Sequence, residues 1–197
     1  MKTRVLPLVL ALWTLGGCAS ALDVGYPEAV ANRALLASVA PRQVTIGPIA
    51  DRRMDQTRIG AEPKNGEPIA TTRPVADIVR EALVVELAKN GHSVVPSDGE
   101  LVVAADVEDF WLDTAGRDAK THYVGRVALA VAVRDARSGA TLLTRRYAGI
   151  HRRYAEADNR DAWRQVMDTA LVRILRDIAT DPDLVAAFAG RTMSGLR

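Results

Sequence analysis

The chain has 197 residues, 48% of them hydrophobic and 25% charged, with 26 Lys and Arg against 24 Asp and Glu for a formal net charge of +2. So even a balance leaves no strong field for nucleic acid, and a single cysteine leaves no pair for a disulfide. The length suits one domain with a real hydrophobic core.

Lys2 and Arg4 open the chain, and Val5 to Leu15 is an apolar run interrupted only by Pro7 and Thr14. A membrane-spanning helix needs about 20 residues, so this shorter run reads as the apolar segment of a signal peptide over residues 1–17. Its removal takes away two bases and no acid, leaving 24 of each sign and a formal net charge of zero. Gly16 and Gly17 lead into Cys18. Leu15-Gly16-Gly17-Cys18 resembles the lipobox of bacterial lipoproteins. That resemblance implies cleavage before Cys18, a diacylglyceryl group on its sulfur and an acyl chain on its new amine. Each buried methylene contributes about 0.8 kcal/mol and a single chain holds only marginally, so two or three chains make a stable anchor. Lipidation would also consume the only thiol. Ala19 is not the aspartate that the lipoprotein pattern associates with inner-membrane retention, so the resemblance points to the outer membrane, facing the periplasm. A rival reading exists: Ala19-Ser20-Ala21 resembles an ordinary A-x-A cleavage site, which would discard Cys18 and release a soluble periplasmic protein.

Residues 18–40 read as the lipidated cysteine and a tether, broken at Tyr26-Pro27 and carrying a short Ala-rich helix over Glu28 to Val39. Val44 to Ile49 reads as a first strand, followed by Asp51-Arg52-Arg53. Met54 to Thr72 is an excursion, a loop or loose hairpin turning at Pro63-Lys64-Asn65-Gly66. Pro74 opens a helix whose apolar face is Val75, Ile78, Val79, Ala82, Leu83 and Leu87, and Asn90-Gly91 closes it. His92 to Pro96 leads towards the sheet. Leu101 to Leu112 is a strand, Thr114 to Lys120 a polar loop, and Tyr123 to Arg134 a second strand. The second strand puts Tyr123, Val127, Leu129, Val131 and Val133 on one face and small residues such as Ala128, Ala130 and Ala132 on the other. Asp135 to Gly139 is a hairpin turn, and Thr141 to Tyr154 the return strand. Asp158 is the expected cap of the last long helix, whose stripe runs Trp163, Val166, Met167, Ala170, Leu171, Ile174, Leu175 and Ile178. Thr180-Asp181-Pro182 restarts a short helix, Gly190 ends it, and residues 191–197 read as a flexible tail.

The expected fold is α+β, a two-layer α/β sandwich. Its mixed, mostly antiparallel sheet has about four strands, with two amphipathic helices on one face. Residues 41–190 form its single periplasmic domain.

Several stretches together are similar to the YajG family of bacterial outer-membrane lipoproteins. They are the lipobox, Val44-Thr45-Ile46-Gly47-Pro48-Ile49-Ala50-Asp51-Arg52-Arg53, and Ile59-Gly60 leading to Lys64-Asn65-Gly66. Leu87-Ala88-Lys89-Asn90-Gly91-His92 and the final helix complete them. The layout also resembles small periplasmic lipoproteins that assist envelope complexes, such as the partner of the lipopolysaccharide-insertion barrel and the auxiliary lipoproteins of lipid transporters. The resemblance brings no catalytic residues with it.

The residues point the same way. There is no G-x-S-x-G, no H-E-x-x-H and no Gly-rich phosphate loop. His92, His122 and His151 lie on separate elements without metal-ligand spacing. Asp106, Glu108 and Asp109 cluster on one strand, with alternation separating Asp109 from the other two. The basic second half of the return strand is the candidate contact patch. Alternation puts Arg146 and Arg152 on one face and Arg145, His151 and Arg153 on the other. Its expected ligand is anionic lipid or an acidic partner, and the plainer reading is ion pairing with nearby carboxylates. Trp111, beside Phe110, is a further candidate contact. The expectation is a non-enzymatic binding or scaffold lipoprotein with no cofactor and no metal, partnered by the membrane and by another envelope protein or lipid. A lipid or glycolipid carrier is the alternative and needs an apolar cavity between sheet and helices. A hydrolase acting on the wall would need converging acids or a metal.

Overall fold

A computed structural model describes residues 20–27, 33–115, 120–156 and 159–190. The strands are β1 (Ser20–Leu22), β2 (Gln43–Asp51), β3 (Gly60–Ala61), β4 (Pro68–Thr71), β5 (Ser93–Val95), β6 (Leu101–Ala115), β7 (Lys120–Asp135) and β8 (Thr141–Glu156). The helices are α1 (Val75–Lys89), α2 (Arg160–Thr180) and α3 (Pro182–Phe188), with one turn of 3-10 helix at Leu35–Ser38.

Three long strands frame the molecule. β6 pairs antiparallel with β7, and β7 antiparallel with β8, in register Val127↔Gly149 and Leu129↔Tyr147. On the other side of β6, β2 adds in parallel from Val44↔Leu101 to Asp51↔Val107, with β5 parallel beyond it. The later half of β6 takes β3 in parallel, then β4 antiparallel and β1 parallel. The sandwich class stands, and among the described residues the sheet has eight strands rather than about four. The additional strands are two to four residues long; β3 and β4 are the loose hairpin expected around the Pro63–Gly66 turn, and β1 and β5 are too short for an alternation to register.

Alternation explains which face is covered. Tyr123, Val127, Leu129, Val131 and Val133 are all buried, facing Trp163, Met167, Leu171 and Ile174 of α2. Burying each such side chain stabilises by about 1.5–3 kcal/mol. α1 packs on the same face over β2, β5 and β6 and touches α2. Two glycines bring α2 close. A Cβ on Gly125 would lie 2.8 Å from the Val166 carbonyl oxygen, and one on Gly149 would lie 2.5 Å from that of Ala170. Asn159, not the expected Asp158, caps α2 by accepting from the Ala162 N–H at 2.9 Å. Asp158 lies outside the described residues. Gly91, at φ 91°, closes α1 as its sequence requires.

The reading of residues 18–40 as a spacer is corrected for their described part. Ser20 to Leu22 pair with Ile69 to Thr71 of β4, and Val24 and Leu36 are buried. The Gly25 N–H donates to Asp168, and Tyr26 joins Glu86, Lys89 and Asn90 in a polar cluster under α1. The helix expected over Glu28 to Val39 shrinks to Leu35–Ser38, with residues 28–32 outside the described residues. Isolated apolar residues separated by several positions give no period, and parallel pairing fixes them only in three dimensions. Cys18, the signal segment and residues 191–197 also lie outside the described residues.

Candidate functional site

The candidate contact patch falls on an edge. Among the described residues β8 pairs with β7 alone, so its other side is a 16-residue sheet edge. Such an edge presents main-chain donors and acceptors to any extended segment that meets it.

The patch itself divides in two. In the first half of β8, Arg145 is 3.1 Å from Asp181 and also pairs with Asp183. The Tyr147 hydroxyl donates to Asp181 at 2.5 Å, while Asp181 caps α3 through the Asp183 N–H. Burial, then the bond to Asp181, raises the Tyr147 pKa far above its ordinary value. Arg146 pairs with Glu108. Both arginines are engaged by carboxylates of this chain, Arg145 at the junction of α2 and α3. In the second half, Arg152 and Arg153 are exposed and have no ion-pair or hydrogen-bond partner among the described residues. Arg173 of α2 reaches across to the Ile150 carbonyl at 2.9 Å. Ile150, His151, Arg152 and Arg173 line an open groove of about 390 Å³. The His151 Nδ1 is buried there without a partner. Burial first, then the charges of Arg173 and Arg153, hold the His151 pKa below its ordinary value. The sequence supplied the strand residues of this groove. Arg173 could not be read, because its place beside β8 depends on how α2 crosses the sheet.

Trp111 lies on the face opposite α1 and α2, which is helix-free among the described residues; it is half-buried, with the Arg58 guanidinium 5.7 Å from its ring, while Phe110 is fully buried. Trp111 pairs in register with Arg126, which bonds Asp109 at 3.0 Å and also pairs with Asp113. The expected separation of Asp109 from Asp106 and Glu108 is corrected. A bulge between Val107 and Asp109 sets Asp109 opposite Ala128, after Asp106 opposite Ala130, so both lie on the helix-free face. Asp106 lies 3.7 Å from Arg52, Glu108 pairs with Arg146 and Asp109 with Arg126. Each of these carboxylates has its own arginine, which makes a series of ion pairs across the sheet face, Glu108 reaching over β7 to Arg146 on β8.

The histidines are dispersed. His92 accepts from the Arg42 N–H at 3.2 Å beneath Phe188, His122 stacks on Tyr154 at 4.6 Å, and His151 faces α2. Among the described residues no group of three His, Cys, Asp or Glu is placed to hold a metal ion. The apolar space between sheet and helices, lined by Leu36, Leu83, Val103, Val131 and Leu175, is about 10 Å³. A cleft of about 440 Å³ lies beside the start of α1, where Arg53 is buried and bonds both oxygens of Asp51. No helix among the described residues is long and apolar enough to cross a membrane.

No family model matches the chain, and no curated protein matches it. Solved structures do. Protein XCC0632 from Xanthomonas campestris, of the DUF330 family, is similar at 16% identity and a TM-score of 0.58, over 86% of this chain and 95% of that one. Protein CT253 from Chlamydia trachomatis is similar at 12% identity and a TM-score of 0.46, over 79% of this chain and 100% of that one. A minor lipoprotein from Acinetobacter baumannii is similar at 14% identity and a TM-score of 0.40, over 72% and 92%. The Xanthomonas protein shares the fold.

Proposed function

We propose that the chain is a lipid-anchored, YajG-like protein of the outer membrane, held by acyl chains on Cys18. It faces the periplasm and binds an acidic envelope protein along the β8 edge, without a catalytic centre of its own. The observation that carries the binding site is the second half of β8, where Arg152 and Arg153 stand exposed and, among the described residues, without ion-pair or hydrogen-bond partners, while Arg173 holds the Ile150 carbonyl. A partner strand added there gains main-chain hydrogen bonds, and its acidic side chains meet unpaired guanidinium groups. Arg145 and Arg146, in the original patch, are already engaged with carboxylates of this chain. Trp111 is a secondary contact on the adjoining face. The carrier reading draws no support from the apolar space beneath Leu83 and Val103, whose roughly 10 Å³ is no larger than a site for one water.

The test is crosslinking in living cells with natively lipidated protein, then mass spectrometry of protein and lipid together. One envelope protein should be recovered at near-equal amount, and lost on combined Arg152→Glu and Arg153→Glu. Recovery of lipid without protein would overturn the reading in favour of a carrier.

A further inference from the structure

The anchor and the fold are almost contiguous. β1 begins at Ser20, two residues after Cys18. An extended chain advances at most about 3.6 Å per residue, so Cys18 lies within roughly 7 Å of Ser20. Ser20 is fixed: it is buried, it pairs with Ile69, its hydroxyl donates to Glu62, and Arg160 donates to it at 2.5 Å. No length remains for a flexible tether.

The topology says which end of the molecule this is. β3 runs parallel to β6, β4 antiparallel to β3, and β1 parallel to β4. The start of β1 therefore points the same way as the end of β6. The start of β7, the end of β8 and the start of α2 lie at that end too. The Tyr123 hydroxyl bonds the Glu156 carbonyl there at 3.0 Å, and Thr114 bonds the Ala61 carbonyl at 3.1 Å. Tyr154, stacked on His122, is 73% exposed at this end. An exposed tyrosine suits the headgroup layer, which accepts its ring and its hydroxyl together. The Asp135–Gly139 turn is at the opposite end, some 45 Å away at the usual rise of a strand.

We propose that the domain stands directly on the bilayer. The end formed by Ser20, Glu62, Tyr154 and Arg160 rests against phospholipid headgroups, and the Asp135–Gly139 turn points away from them. This rests on the reading of Cys18 as the anchor. It also gives the β8 edge a bearing: Arg152 and Arg153 lie close to the membrane, and the Thr141 end of the strand projects furthest from it.

The test uses the full, natively lipidated chain in vesicles of phosphatidylethanolamine and phosphatidylglycerol. Lipid occupies the only native thiol, so one introduced cysteine carries one fluorophore. Labels at Tyr154→Cys and at Glu67→Cys, in the turn between β3 and β4, should be quenched several-fold more by a headgroup-level quencher than a label at Ser138→Cys. Two labels at the membrane end keep the result readable if one substitution disturbs the fold. Inserting about ten Gly and Ser residues between Ala19 and Ser20 supplies a flexible tether and should erase most of the difference. Equal quenching at all three positions in the uninserted protein, with acyl chains on Cys18 by intact mass, would overturn the placement alone. An intact mass without acyl chains would overturn the anchor and the placement with it.

Discussion

The two faces of the β6–β7–β8 meander come from the same residues taken alternately, yet they are different materials. One face is Tyr123, Val127, Leu129, Val131 and Val133, buried under α2, with Gly125 and Gly149 clearing room for the helix backbone. The other is Ala130, Ala132 and Ala148, edged by ion pairs such as Arg126–Asp109 and Arg146–Glu108. Large side chains and glycines specify a seat for a helix. Alanines among paired charges leave a face with little large apolar surface to cover, Trp111 and Ile150 apart. Period-two alternation alone does not distinguish the two surfaces; side-chain volume does.

The largest blow to the covered face is Gly149→Val. Its Cβ would sit 2.5 Å from the Ala170 carbonyl oxygen and 2.9 Å from the Ile174 Cβ, and neither belongs to the end of a flexible chain. α2 must move away from β8. The expected cost is about 3 kcal/mol or more, read as a fall in the urea midpoint. An unchanged midpoint would mean that α2 is not seated there.

The covered face also holds a titratable group. Below its ordinary pKa of 6.5, His151 takes up a proton in the unfolded chain that burial, Arg173 and Arg153 resist in the fold. The unfolded state then binds more protons, so stability falls as pH falls through 6.5. His151→Gln should shrink the drop in Tm between about pH 7.5 and about pH 5.5. Equal drops in the two proteins would remove His151 from the account.

Much of this face could be read in advance. The α2 stripe from Trp163 to Ile178 and the Tyr123–Val133 alternation each extend over several periods, and both are buried as written. What stayed hidden was non-local. β1 is three residues long and exists only through its pairing with β4, whereas β3 and β4 are the loose hairpin that the Pro63–Gly66 turn announced. One extra residue at the β6 bulge returned Asp109 to the face of Asp106. Arg145 found its carboxylates at Asp181 and Asp183, beyond a long helix, not on the neighbouring strand. In the candidate site, Arg152 and Arg153 were visible as a basic run. Their lack of partners among the described residues was not, because charge alone does not say which arginines the fold will use.

The helix-free face predicts smaller effects. Arg126→Ala removes the pairs to Asp109 and Asp113, but its side chain is 38% exposed and water screens both. The expected loss is about 1 kcal/mol or less, measured by the same urea unfolding and reduced further at high salt. A loss as large as that of Gly149→Val would show that Arg126 organises the bulge rather than decorating it.

The smallest effect should come from Ala130→Val, which places on β7 the same residue that Gly149→Val places on β8. Ala130 pairs with Asp106 on one side and Arg146 on the other, on the face that carries no helix. The added methyls meet the stems of those side chains and open solvent, and a β-branched residue favours the strand. Stability should stay within about 0.5 kcal/mol of the parent. The two valines therefore measure the covering layer by difference, one under a helix and one under water. If Ala130→Val instead cut the yield of crosslinked partner in cells while leaving the urea midpoint alone, the alanine face would be a second docking surface beside the β8 edge, covered by a partner.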